Sequence, residues 1–292
     1  MHGRSEVRER LSFNEDYRVM AAFPILDDHF HLNRRTGVGP DVVKEFMRSG
    51  GTHIILVSLP SWSCGVFPIK EMDYRVVFDE LIADCKRVNE LGCVCYPIAG
   101  VHPAEIGKLL ERMSLTEAEN LMCGGLDVAA EYVREGKCIG LKSGRPHYPV
   151  TPEVWDASNR VLAHALTLSG ELECALQIHA ESGPCEDVPA MAKSCNMDPS
   201  RVVKHFSTCE TPLHPSVTVR EPFLNEWFEQ KRDFTLESDY MDDLSRPGAV
   251  NGPRSVPRRM QKLLQAGVVC AEDMWRVHSA VPERIYGVSF RV

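Results

Sequence analysis

A short apolar run followed by a helix-like stretch recurs along almost the whole chain, and this alternation limits the folds that the chain can adopt. Strands that alternate with helices are typical of parallel βαβ units, and eight such units close into a barrel. The sequence therefore predicts an α/β fold, a (β/α)8 TIM barrel in a single domain. The clear apolar runs are residues 23–26, 53–59, 93–101, 138–141, 174–179, 201–206 and 234–236, with a weaker eighth run at 216–219.

The length and composition of the chain agree with this barrel. It has 292 residues, and a typical (β/α)8 domain has about 250. We predict that residues 1–22 form an N-terminal extension and that residues 23–292 form the barrel. Hydrophobic residues make up 43% of the chain and charged residues 25%, which is a normal balance for one globular core. The helix-like stretches are 40–49, 74–91, 115–135, 153–170, 188–195, 221–231, 255–265 and 271–279.

The charge of the chain bears on the class of substrate. The formal net charge is −8, and the sequence contains no long basic run. Tight binding of nucleic acid usually requires a basic surface, so the composition favours a small-molecule substrate. Because divalent metal ions can supply positive charge locally, a nucleic-acid substrate remains the less favoured alternative.

The cysteine content and the lack of long apolar segments bear on the cellular compartment of the protein. Eleven cysteines are present without a C-x-x-C pair, which argues against a zinc ribbon. No stretch of about 18 apolar residues could span a membrane, and residues 1–18 are polar and charged rather than a signal segment. We therefore expect a cytoplasmic protein with reduced thiols and no membrane association.

Side chains that can bind a metal stand at the ends of several predicted strands. His29 and His31 follow the first run as H-x-H, and alternate residues of a strand face the same side. His179, His205 and Asp239 end the fifth, sixth and eighth predicted strands, where barrels place their functional groups. Imidazole and carboxylate together suit zinc, manganese or iron. The pattern therefore predicts a metal centre, and five unrelated polar residues are the alternative.

The order H-x-H, His, His, Asp resembles the amidohydrolase superfamily of metal-dependent barrels, and four short motifs resemble its TatD-related branch. Each motif is short, so their order along residues 23–288 carries the resemblance. Residues 27–32 resemble D-x-H-x-H-L, residues 99–103 resemble G-x-H-P, residues 237–239 resemble E-T-D, and residues 282–287 resemble N-x-x-R-x-F-G.

The resemblance implies a role for each candidate ligand. His29 and His31 would bind a first metal together with Asp239, while His179 and His205 would bind a second. Asp239 would also accept a proton from the water between the metals, which a carboxylate can do. The implied cofactors are two divalent ions, with zinc as the first expectation and manganese or iron as alternatives. The implied reaction is hydrolysis of a small ester, lactone, amide or phosphodiester by a metal-activated water.

One departure from the TatD-related pattern concerns the fourth strand. TatD-type enzymes carry a glutamate there, whereas this chain has no glutamate and has Lys142 one position later. Barrels resembling phosphotriesterases have a lysine at this place, carboxylated by CO2, and the carbamate bridges two metals. Because a free ammonium would be repelled by two cations, we favour a carboxylated Lys142 as a metal ligand. The alternative is an ordinary cation that binds an anionic substrate beside at most one metal.

A second departure follows the fifth strand. TatD nucleases often show H-x-R there, and this chain has Glu181 two residues after His179. The change removes a cation expected to hold a phosphate and argues against nuclease activity.

Three further residues are candidates for substrate binding at the mouth. Arg145 and His147 lie in the loop that follows the fourth strand, and His102 follows the third. The Arg145 guanidinium can bind a phosphate or carboxylate through two parallel hydrogen bonds, and a surface salt bridge is the alternative. His147 could instead cap its loop, and His102 could make a structural hydrogen bond.

Three functions are therefore compared. The favoured one is a metal-dependent hydrolase of a small molecule. A TatD-like deoxyribonuclease is the second, and a barrel that binds metal without catalysis is the third. Lys142 and Glu181 argue against the second, and the presence of all five candidate ligands argues against the third.

Overall fold

The computed structural model of the protein describes residues 23–180, 185–207, 210–245 and 251–291. The predicted N-terminal extension at 1–22 lies outside these residues and stays a prediction, as does Glu181. Within the described ranges nine parallel strands form one sheet, in the order β8-β7-β6-β5-β4-β3-β2-β1-β9. The strands are β1 Leu26–His31, β2 His53–Val57, β3 Val94–Gly100, β4 Gly140–Gly144, β5 Ala175–His179, β6 Val202–Ser207, β7 His214–Thr218, β8 Thr235–Glu237 and β9 Tyr240–Met241.

The sheet closes on itself where β8 continues into β9. Only two residues separate these strands, and β9 pairs with β1 through Phe30 and Tyr240. Side chains complete the contact, because the Ser238 amide donates to Asp27 Oδ1 at 3.0 Å and the Thr235 hydroxyl donates to Asp28. The chain therefore forms the predicted α/β barrel, and the prediction of fold class is confirmed.

Helices cover the outside of the barrel. The longest begin with N-terminal caps: Ser114 accepts from the Glu117 amide, and Thr151 accepts from the Val154 amide ahead of the next helix. The helices are α1 Val43–Arg48, α2 Tyr74–Glu90, α3 Glu105–Leu109, α4 Leu115–Arg134, α5 Pro152–Glu171, α6 Val188–Ser194, α7 Leu224–Glu229, α8 Ser255–Gln265, α9 Ala271–Trp275 and α10 Val281–Tyr286.

Three strand boundaries differ from the sequence prediction. The first strand, Leu26–His31, begins where the apolar run 23–26 ends, and the fourth, Gly140–Gly144, extends beyond the apolar run 138–141. The seventh strand is His214–Thr218, so it begins two residues before the apolar run 216–219. Hydrogen bonding to neighbouring strands sets where a strand begins and ends, as in the pairing of Gly144 with His179. A strand can therefore include polar residues that face the barrel interior and that an apolar run does not contain.

The interior of the barrel is divided along its axis. Its amino-terminal part is filled by an apolar cluster that also receives side chains from α10 and the segment after it. Polar side chains occupy the carboxyl-terminal part, so the chemistry is confined to one end of the barrel. The buried members of the apolar cluster are Leu26, Ile55, Val57, Ile98, Ala175, Val203, Val281, Ile285, Tyr286 and Phe290.

Two further observations concern the cysteines and the membrane. Seven of the ten cysteines in the described ranges are buried. Among the described helices, none has the length and apolar character needed to cross a membrane.

Candidate metal centre

The residues predicted to bind metal come together at the carboxyl-terminal end of the barrel. Each comes from a different part of the sheet: two histidines from β1, one each from β5 and β6, and an aspartate between β8 and β9. The four imidazoles are buried, and Asp239 is half-buried. The residues are His29, His31, His179, His205 and Asp239.

His29 and His31 form the first pair of donors. Their Nε2 atoms are 3.0 Å apart, and a carboxylate oxygen of Asp239 completes a group whose ligand atoms lie within 4.8 Å of one another. His31 Nδ1 is 2.8 Å from the carbonyl oxygen of Val57. Because that oxygen can only accept, the proton of His31 is on Nδ1 and its Nε2 carries a lone pair. This nitrogen is therefore available to a metal ion.

His179 and His205 form the second pair. Nδ1 of His179 is 2.8 Å from Nε2 of His205, and the His205 ring stacks on His29 with centroids 3.8 Å apart. On its other side His205 Nδ1 is 3.2 Å from Oε1 of Glu237, which also accepts from the Phe206 amide at 2.8 Å. Glu237 therefore orients the ring so that Nε2 faces His179. The stacking joins both pairs into one cluster.

The backbone beside two of these ligands adopts an uncommon conformation. Asp239 has a φ of 49°, and Phe206, directly after His205, has a φ of 53°. Left-handed φ values are tolerated by aspartate but are unfavourable for a bulky aromatic residue. The ladder between β6 and β7 is irregular at the same point. Such strain is characteristic of functional sites, and here it accompanies the placement of two candidate ligands.

Lys142 is buried beside the cluster. Its Nζ donates to the carbonyl oxygen of Ser58 at 3.3 Å, and only 2% of the residue is exposed. Burial lowers the pKa of Lys142 from 10.5 to about 8, while Asp239 and Glu237 act in the opposite direction. Gly100 permits this placement, because a Cβ atom at that residue would lie 1.9 Å from the Lys142 carbonyl oxygen.

The chemistry of this donor set fits a divalent metal ion. Burial first, and nearby rings and Lys142 second, hold the pKa values of His29, His31, His179 and His205 well below the ordinary value for histidine. Neutral imidazole is the form that binds a metal. Buried neutral imidazoles with converging nitrogens, next to a carboxylate, are suitable ligands for zinc and related metals.

His102 and His147 lie at the mouth, next to the second pair. The His102 ring is 4.5 Å from the His179 ring between centroids, and His147 Nδ1 is 3.0 Å from His179 Nε2. His102 also accepts from the Ala104 amide at 3.1 Å. His102 therefore makes the structural hydrogen bond that was the alternative to substrate binding. Its ring nevertheless lies beside His179.

Arg145 is placed differently from the other candidates. Its guanidinium makes a bidentate pair with Asp187, at 2.8 and 2.9 Å, and lies over the Trp155 ring. Arg145 is 4% exposed, so the pair is largely buried on the arginine side. The structure thus gives this cation a protein partner, and binding of a substrate by Arg145 stays a prediction.

Two residues of the centre were not singled out from the sequence. Glu237 begins the segment 237–239 that resembles E-T-D, and Gln177 stands two residues before His179 on β5. Strand alternation was the signal that could have found both, because residues i and i+2 face the same side.

The fold and this cluster define a class. A parallel barrel whose carboxyl end gathers four histidines, an aspartate and a buried lysine is typical of metal-dependent hydrolases of the amidohydrolase type. The model of the TatD-related DNase family matches residues 26–218, well over half of the chain. The chain belongs to this family, and the predicted resemblance is confirmed.

Relatives and solved structures agree with this assignment. The chain is 33% identical over 288 residues to the uncharacterized protein MJ1127 of Methanocaldococcus jannaschii, covering 94% of this chain and 99% of that protein. The TatD homologue YJJV of Escherichia coli K12 has a TM-score of 0.64 at 17% identity, covering 92% and 99%. A mutant PTE-like lactonase of Deinococcus radiodurans has a TM-score of 0.60 at 14% identity, covering 91% and 97%. The two structures share the barrel fold with this chain.

Proposed function

We propose that this protein holds two divalent metal ions and hydrolyses a small ester, lactone, amide or phosphodiester. Zinc is the metal we expect first, with manganese or iron as alternatives. His29, His31 and Asp239 would hold one ion, and His179 and His205 the other, with Lys142 between the two sets. The observation that carries the proposal is the convergence of neutral, buried ring nitrogens at 3.0 and 2.8 Å in two pairs.

When bound, the metal ions would lower the pKa of a water molecule and polarise the scissile carbonyl or phosphoryl group. The chain's own residues supply the rest. Asp239 would accept the proton of the attacking water, since its carboxylate lies beside the first pair of histidines. His102 and His147 are placed next to His179, where they would contact the substrate.

Lys142 would contribute as a carbamate. A neutral amine adds to CO2 by forming an N–C bond and releasing one proton, which leaves a carboxylate on the side chain. The lowered pKa of Lys142 supports this reaction, because about one tenth of the amine is neutral at pH 7 when the pKa is near 8. The resulting anion would replace the glutamate that TatD-type enzymes carry on this strand.

A deoxyribonuclease is the second candidate, and membership of the TatD-related DNase family favours it. Two observations favour a small substrate instead. Lys142 occupies the strand where a glutamate is expected, and Arg145 is already paired with Asp187. The net charge of −8 also weakens attraction to a polyanion.

One experiment separates these candidates. The purified protein is analysed for bound metal and is then assayed with zinc or manganese against lactones, phosphodiesters, amides and single-stranded DNA. We expect two metal equivalents and turnover of a small substrate. Turnover of DNA alone would support the nuclease, and bound metal without any turnover would support a non-catalytic barrel. A protein that binds no metal would contradict the proposal.

A further inference from the structure

Gln177 contacts His29 from the opposite side of the barrel. Its Oε1 is 2.7 Å from His29 Nδ1, and both side chains are fully buried. Its Nε2 donates to the Asp28 carbonyl oxygen and to the Tyr286 hydroxyl, each at 2.8 Å. A carbonyl oxygen can only accept, so this end of the Gln177 amide must be the NH2 group. The end that faces His29 is therefore the oxygen.

This orientation decides between two forms of His29. With its proton on Nε2, His29 would donate to the lone pair of His31 Nε2, 3.0 Å away, and the two nitrogens would be hydrogen-bonded to each other instead of facing a cation. With its proton on Nδ1, His29 donates to Gln177, and two lone pairs then face each other across the same 3.0 Å. Only the second form presents both nitrogens to a cation.

We propose that Gln177 is a positioning residue for the metal centre. Its side-chain oxygen holds His29 in the form protonated at Nδ1, and this prevents His29 and His31 from closing on each other when no ion is bound. Tyr286, from α10, and the Asp28 carbonyl hold the Gln177 amide in turn. The support for the ligand thus extends from the first strand to the last helix of the barrel.

This inference rests on the proposed metal centre, so its test has one readout that requires no metal. In the metal-free protein, long-range proton–nitrogen NMR of His29 should place the proton on Nδ1. In Gln177→Leu, which removes the acceptor at similar volume, the proton should move to Nε2. A His29 protonated at Nε2 in the parent protein would overturn the inference, whether or not the protein binds metal.

Zinc affinity provides the second readout. Residues that orient a ligand contribute about 10–100-fold to metal affinity, so Gln177→Leu should bind zinc more weakly by that factor in competition with a chromophoric chelator. Gln177→Glu keeps an oxygen toward His29 but loses the donor to the Asp28 carbonyl, so its zinc affinity should lie above that of Gln177→Leu and below that of the parent. Leu176→Met is the matched control, because Leu176 is fully buried on the same strand and belongs to the outer apolar core rather than to the metal cluster.

The outcomes separate this inference from the proposed function. A parent protein that binds no zinc contradicts the metal centre itself. A parent that binds zinc, together with a folded Gln177→Leu that binds it equally well, contradicts the role of Gln177 alone. Equal losses in Gln177→Leu and in Leu176→Met would mean that Gln177 only supports the fold, and this also contradicts the inference. If Gln177→Leu does not fold, the position of the His29 proton in the parent decides.

Discussion

Lys142 offers the sharpest test of the proposed chemistry, because its environment changes the amount of reactive amine. Burial lowers its pKa from 10.5 to about 8. Each pKa unit changes the neutral fraction tenfold, so at neutral pH this shift increases the neutral amine by about 300-fold over an ordinary lysine. Since CO2 combines only with the neutral form, the lowered pKa supports the proposed carboxylation of Lys142.

The assay measures the initial rate at which the metal-free protein takes up its second zinc equivalent while dissolved CO2 is held constant. A lowered lysine pKa means that the neutral form increases as pH rises and is complete above the folded-state pKa. We therefore expect the rate of uptake to rise about tenfold per pH unit below about pH 8 and to level off above it, because this rate follows the amount of neutral amine. The candidate ligand histidines do not titrate in this window, because their pKa values lie well below 6.5.

The Lys142→Ala variant completes the test. It should lower bound metal from two equivalents toward one, and added bicarbonate should not restore the second. The parent should show a carbon resonance from labelled bicarbonate that Lys142→Ala lacks. Lys137→Ala is the control, since Lys137 pairs with Glu135 away from the centre, and it should keep both equivalents. Two equivalents in Lys142→Ala, or a rate of uptake that keeps rising toward pH 10.5, would refute the reasoning.

Three other outcomes are expected. Asp239→Asn should retain most of the metal and lose about 10²–10⁴ in kcat, as loss of a general base typically does, and near-parent turnover would exclude that role. Gly100→Ala should destabilise the barrel by about 1–3 kcal/mol in urea unfolding and weaken metal binding, because its Cβ would meet the Lys142 backbone. Thr235→Val removes the hydroxyl that donates to buried Asp28 and should cost about 1–3 kcal/mol; an unchanged unfolding midpoint would contradict this role in barrel closure.

Much of the fold, and the grouping of the candidate ligands at one end of the barrel, could be predicted from the sequence, for physical reasons. Apolar runs at barrel spacing predict parallel strands, because each strand is buried on both faces. Strand alternation places His29 and His31 on one side, and the carboxyl ends of parallel strands meet at one edge. The short motifs then gave the family, which the family model confirms.

The contacts between residues that are distant in the sequence could not be predicted from the sequence. The sequence could not assign Arg145 to Asp187, 42 residues away, nor place Glu237 under His205. Both contacts depend on how loops and strands meet across the barrel. A residue's chemistry indicates what it can bind, and only its neighbours in space decide what it does bind.

The protonation states of the candidate ligands also depend on contacts between residues that are distant in the sequence. The sequence determined which residue types can bind a metal and at which end of the barrel they lie. The tertiary structure decided that His29 donates through Nδ1 and that the pKa of Lys142 falls to about 8. Proton positions and pKa values depend on burial and on hydrogen-bond partners brought from other strands, and these exist only once the barrel has closed.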